Sequence, residues 1–212
     1  MNAVSSAREM GLSKFIQQEF YVPILHFFDF LEDRRRGVST QQNFELVDLG
    51  VSSHLGNKYQ PVGYRKLRQV LRLAKRMNPK STFIDIGCGL GRPIILALEL
   101  GFPKVIGIDI SDKLIDLCKK NISKGQHNVK LTCCDVEDYS FPIESLTVFL
   151  FNPFDRKRLE NLVSKLKETN SNCLIIYFNP KYCDVFKKNK LVRELKWKNF
   201  GLFEEKCHFY RY

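Results

Sequence analysis

The run Phe83-Ile84-Asp85-Ile86-Gly87-Cys88-Gly89-Leu90-Gly91-Arg92 combines an apolar strand, a buried-type carboxylate and three alternate glycines. Glycines at that spacing let the backbone turn sharply and come close to a ligand, with N–H groups exposed where a helix begins. Pro93 suits the first helical turn, where its missing N–H would have no partner. A dinucleotide fingerprint requires G-x-G-x-x-G. Here the third position is Arg92 and the spacing is G-x-G-x-G, which argues against a nicotinamide or flavin ligand. Further acidic residues, Asp109 and Asp135, follow the next two apolar runs, and Asn152-Pro153-Phe154 closes a fourth.

Those residues need a scaffold that brings strand ends together. Apolar runs at 82–86, 104–109, 128–132, 146–151 and 173–178 read as strands buried on both faces, as in a parallel sheet covered by helices. Helical patterns lie between them: Leu114, Leu117 and Cys118 behind a Ser111 cap, and Leu159, Leu162, Val163 and Leu166 behind Asp155. Alternation of strand and helix predicts a doubly wound α/β fold. Residues 191–200 and 206–212 read as two strands joined through Gly201, a hairpin that adds an antiparallel strand. Before Ser81 the chain is helical. Leu67, Val70, Leu71 and Ala74 form an apolar stripe, and Arg65, Arg68, Arg72, Lys75 and Arg76 a solvated one. An aromatic-rich stretch with Phe20, Tyr21, Phe27, Phe28 and Phe30 precedes Arg34-Arg35-Arg36 and reads as a packed cap or lid helix.

On these motifs the chain resembles the class I S-adenosylmethionine-dependent methyltransferases over about residues 80 to 212. The resemblance implies a seven-stranded, mostly parallel sheet with a C-terminal antiparallel hairpin (81–212), preceded by an N-terminal helical cap (1–80). It implies S-adenosylmethionine as cofactor, held by Asp85, Gly87, Cys88, Gly89 and Gly91 at its methionine end. Asp109 would take the ribose hydroxyls, because a carboxylate accepts two hydrogen bonds at once. Ile110 would lie against the adenine, with Asp135 and Val136 near its amino group. Asn152-Pro153-Phe154 resembles a shortened form of the D/N-P-P-Y/F motif of methyltransferases acting on amino nitrogens. The Asn side chain and a proline carbonyl would orient the nitrogen, and Phe154 would contact the acceptor. One proline is missing, so an oxygen acceptor on a sugar or other small molecule stays open beside a nitrogen on a protein, nucleobase or metabolite. An inactive methyltransferase-fold binding subunit is the further alternative. Tyr59 and Tyr64, upstream of the first motif, are candidates for the acceptor pocket. His26, His54, His127 and His208 adjoin no motif.

The composition limits partners and compartment. In 212 residues, 44% hydrophobic and 27% charged, there is enough apolar side chain for a full core, and no apolar run reaches membrane-span length. Seven cysteines with no C-x-x-C pair point to reduced thiols, no metal site and a cytoplasmic setting; Cys88, Cys118, Cys133 and Cys173 read as buried. The net charge of +11 divides into +6 for residues 1–80, zero for 81–180 and +5 for the last 32. Basic flanks fit an anionic partner: an acidic protein, an anionic glycan or a phosphorylated metabolite. Nucleic acid is not favoured, since no recognised binding module accompanies the core.

Overall fold

Strands form where the apolar runs put them, and those at 82–86, 105–109, 146–151 and 173–178 are buried on both sides. A computed structural model describes residues 22–42, 44, 60–122, 127–152, 154–169, 172–199 and 203–212. Its elements are α1 (Val22–Arg36), α2 (Tyr64–Met77), β1 (Thr82–Ile86), α3 (Arg92–Glu99), β2 (Val105–Asp109), α4 (Asp112–Asn121) and β3 (Val129–Cys133). They continue with β4 (Leu146–Phe151), α5 (Arg156–Thr169), β5 (Cys173–Phe178), a 3-10 turn (Cys183–Phe186), β6 (Lys190–Asn199) and β7 (Phe203–Arg211). The seven strands make one sheet in the order β3-β2-β1-β4-β5-β7-β6. The first five are parallel; β7 lies antiparallel between β5 and β6. No described helix is long and apolar enough to cross a membrane.

Strand alternation sorts the core into two layers. Phe83, Val105, Phe149, Leu174 and Ile176 face α2, α3 and α4, while Ile84, Ile106, Val148, Ile175 and Tyr177 face α5 and the 3-10 turn. Leu67, Val70, Leu71 and Ala74 of α2 are fully buried against the first face, as their stripe requires. Ser111 and Asp155 cap their helices by accepting from the N–H groups of Leu114 (3.4 Å) and Arg158 (3.0 Å).

Four expectations change. Among the described residues no helix joins β3 to β4: the chain passes through turns at 136–138. Strand β3 is the sheet edge, so it is only partly covered and Cys133 is exposed, whereas Cys88, Cys118 and Cys173 are buried. Arg34–Arg36 lie inside α1 rather than after it. The aromatics of α1 are not packed: Phe27 and Phe28 are 56% and 58% exposed. The reason is that α1 docks through its charged face, as described below. Phe20 and Tyr21 lie outside the described residues.

Gly107, in the middle of β2, sets how closely the helix after the glycine loop approaches the sheet. A Cβ there would stand 2.4 Å from Ile94 Cδ1 and 2.7 Å from Leu131 Cδ2. Gly107→Ala should therefore cost about 1–3 kcal/mol by overpacking. Urea denaturation monitored by circular dichroism measures it; an unchanged midpoint would mean that α3 can slide outward without loss.

Candidate functional site

The C-terminal ends of β1, β2 and β4 are neighbours, which is where open α/β sheets bind ligands. Asp85 and Asp109 stand there on adjacent strands. Asp85 is 2% exposed, and its Oδ2 is buried with no hydrogen-bond partner. Burial, and then the nearby Asp109 charge, push its carboxyl well above the ordinary carboxylate range. A buried carboxylate oxygen without a donor is a vacancy in the hydrogen-bonding pattern that a cationic group would satisfy. The methionine ammonium of S-adenosylmethionine is such a group, so the residues present fit that cofactor.

Asp109 holds the loop. Its Oδ2 accepts from the Gly89 N–H (2.9 Å) and its Oδ1 from the Ser111 N–H (3.0 Å). Burial raises its carboxyl, and the N–H donors of Ser111, Gly89 and Ile110 oppose that rise. The Gly87 and Cys88 N–H groups both donate to the Ile108 carbonyl, folding the loop back over β2. Gly87, Gly89 and Gly91 all have positive φ (74°, 52° and 86°), the region that favours glycine. At Gly91 the missing side chain makes room inside the protein: a Cβ would lie 2.5 Å from Cys118 Sγ. Cys88 turns its thiol inward as well, into the core cluster that holds the free Cys118; its backbone remains in the loop.

The adenine-side candidates are differently placed. Ile110 is half-buried beyond β2 and Val136 is buried in the α5-side core. Asp135 is bonded to the Glu137 N–H (2.9 Å) and paired with Arg158, which holds its carboxyl below the ordinary range. The Arg158 guanidinium also lies 5.6 Å from the centroid of the Phe154 ring. Thus one arginine joins the β3 end to the motif after β4. Asn152 takes a left-handed conformation (φ 42°). Its Nδ2 donates to the Asn179 carbonyl, and its Oδ1 accepts from the Lys181 N–H (3.3 Å). That side chain therefore bridges the ends of β4 and β5. Pro153, Tyr59 and His54 lie outside the described residues.

Tyr64 is buried at 1% exposure, its hydroxyl donating to Asp33 (2.7 Å) and its ring between the guanidiniums of Arg92 and Arg36 (4.3 and 4.7 Å). Burial and the Asp33 carboxylate push its phenol far above the ordinary range. It braces α1 and α2 against the loop helix. Sequence reasoning missed the partners in that brace, Asp29, Asp33, Thr40 and Arg92. Their one sequence signal was Arg92 itself, standing where a dinucleotide site would have glycine. His208 is bonded to Glu194 and Tyr210 and pairs in register with Tyr177, next to last in β5.

Residues 83–170 match the family described as methyltransferase domain. An uncharacterised protein of Haemophilus influenzae is 37% identical over 73 residues, which is 34% of this chain and about a quarter (27%) of that relative's length. The carboxy-S-adenosyl-L-methionine synthase of Ruthia magnifica is 24% identical over 165 residues, covering 68% of this chain and 69% of the synthase. A Pyrococcus horikoshii protein assigned provisionally to RNA methylation superposes with a TM-score of 0.59 at 18% identity, over 82% of this chain and 92% of that one. The structural likeness shows the fold.

Asp85 carries a stability cost whose sign can be read. A carboxyl raised by folding favours the folded state fully below its ordinary 3.8, and that favour is lost as pH climbs through the raised value. Asp85→Asn cannot ionise. Its advantage over the ligand-free wild type should widen between pH 4.5 and pH 8 in paired urea titrations. A constant gap would mean that Asp85 is solvated in the folded protein.

Proposed function

We propose that this chain, which by motif, fold and family match belongs to the class I S-adenosylmethionine-dependent methyltransferases, transfers a methyl group from S-adenosylmethionine to a nitrogen on an anionic acceptor. The observation that carries the cofactor half is Asp85, whose buried Oδ2 lacks a donor beside a glycine loop held by Asp109. The cofactor supplies a methyl group on a sulfonium, which leaves as a neutral thioether. The chain's own residues then have three tasks: to bind the ammonium, hold the loop's N–H groups in place, and orient the acceptor.

Two features support a nitrogen acceptor. Asn152 stands at the end of β4 with Phe154 two residues on, in the shortened form of the motif that methyltransferases acting on amino nitrogens carry. In that motif the amide accepts from the acceptor's amino group and the aromatic ring contacts the acceptor; the Phe154 ring here lies against the Arg158 guanidinium. The bonds from Asn152 to the β5 end hold the amide in one orientation, as such a contact requires.

Charge supports the anionic part. Exposed cations of α2 and β6, drawn from the two basic flanks, lie on the same face of the sheet. Arg65, Arg72 and Arg76 are exposed along the outer ridge of α2, over about 16 Å of helix. Strand β6 adds exposed Lys190 and Arg193, which oppose Arg211 and Phe209 of β7; Arg211 in turn donates to the Met77 carbonyl at the end of α2. None of these five cations has an acidic partner among the described residues, whereas Arg68 pairs with Glu32 and Lys75 is bonded to the Pro79 and Gly101 carbonyls.

Isothermal titration with S-adenosylmethionine, S-adenosylhomocysteine and NAD tests the first half. Binding of both adenosyl ligands without NAD is expected; binding of neither would leave a methyltransferase-fold partner subunit. Asp109→Ala should weaken adenosyl binding by about 2–3 kcal/mol, because the Gly89 and Ser111 N–H groups lose a charged acceptor. For the acceptor, anisotropy of a labelled single-stranded oligoribonucleotide serves as a polyanion probe. Arg72→Gln should lower the slope of log affinity against log salt by about one unit; an unchanged slope removes the ridge from acceptor binding.

A further inference from the structure

Arg92 begins α3 directly after the glycine loop, and it is among the most completely buried side chains of the protein, at 1% exposure. Its Nε donates to Thr40 Oγ1 (2.7 Å), and its Nη1 to Asp29 (2.9 Å) and to the Val62 carbonyl (3.0 Å). Its Nη2 is buried without a hydrogen bond, 4.0 Å from Asp33 Oδ1. Around it the N-terminal residues bind one another: Asp33 accepts from the Thr40 N–H (2.6 Å), the Thr40 hydroxyl (2.8 Å) and the Tyr64 hydroxyl (2.7 Å), and Asp29 from the Tyr64 N–H (3.0 Å). One guanidinium thus gathers three separate stretches, 29–40, 62–64 and the loop helix. A buried charge pair of this kind is strongly destabilised when one partner goes, so its members hold together or release together.

On the other side of Gly91, three residues before Arg92, the loop is held by Asp109 through the Gly89 N–H. The loop therefore has two anchors, one at the cofactor end of β2 and one in the N-terminal segment.

We propose that Arg92 is a positioning residue that couples the cofactor loop to the segment 29–40, so that filling the cofactor site orders this segment and loss of the segment loosens the loop. This rests on the methyltransferase reading for the identity of the ligand. Coupling between two sites is reciprocal, and each must bias the other by the same factor.

Hydrogen exchange of the full chain reads the coupling in both directions, first without ligand. Arg92→Lys keeps the charge and loses the planar fork. It should speed exchange in 29–40 and at the amides of Gly89 and Leu90. Asp29→Asn is a milder variant at a partly exposed site, usable if Arg92→Lys fails to fold, and it should speed exchange at the same loop amides although it touches none of them. Amides of β4 and β5 should keep wild-type rates in both variants. With S-adenosylhomocysteine added, wild-type 29–40 should become protected, and both variants should bind about tenfold more weakly. Acceleration confined to 29–40 in Asp29→Asn, or wild-type affinity with full protection of 29–40 in Arg92→Lys, overturns the proposal. If the wild type binds no S-adenosylhomocysteine, the cofactor assignment fails, while the ligand-free exchange still decides the coupling.

Discussion

The hydrogen bond from the Gly89 N–H to Asp109 is the contact on which the site's shape depends. It joins the end of β2 to the loop that follows β1, and it does so with a carboxylate that burial would otherwise leave costly. The loop can meet that carboxylate because Gly87, Gly89 and Gly91 adopt backbone conformations closed to most residues. Behind it, Gly91 and Gly107 leave room for Cys118 and Ile94, so that α4 and α3 pack closely and hold the loop from beneath. The geometry at the strand ends thus follows from where side chains are absent as much as from where they are present.

Asp85 has the opposite condition. Its neighbour Asp109 has N–H donors; the Oδ2 of Asp85 has none. Burial raises both carboxyls, and the Asp109 charge raises Asp85 further; a cationic group beside Asp85 would relieve both effects. A fold that keeps such a residue gives up some stability at neutral pH.

The N-terminal helix reverses the usual rule for a surface helix. Helix α1 turns Asp29, Glu32, Asp33 and Arg36 toward the protein, where Arg92, Arg68, Glu99 and Tyr64 meet them. Its Ile24, Phe27, Phe28 and Leu31 remain largely exposed. The cause is the charge on Arg92: once a guanidinium is buried in the loop helix, acidic residues must come to it, and they bring the helix with their face inward. At the ends of β3 and β4, Arg158 likewise pairs with Asp135 and lies over Phe154, linking two motifs that are far apart in the chain.

Much of this was legible in the order of residues. Apolar runs between turn signals determined the parallel strands and the hairpin, because strands buried on two faces need nothing beyond local pattern to be recognised. Asp85, the three glycines and Asp109 were legible for a related reason: a tight loop at a strand end depends on residue types a few positions apart. The partners of distant residues were not legible. That Arg92 collects Asp29, Thr40 and Val62, that α1 packs by its charged face, that β3 is an edge with Cys133 exposed, and that cations of α2 and β6 share one face all depend on which surfaces the folded sheet brings together. Local sequence determines what each segment can become; burial of charge and the sharing of faces between remote segments were decided only when the chain folded.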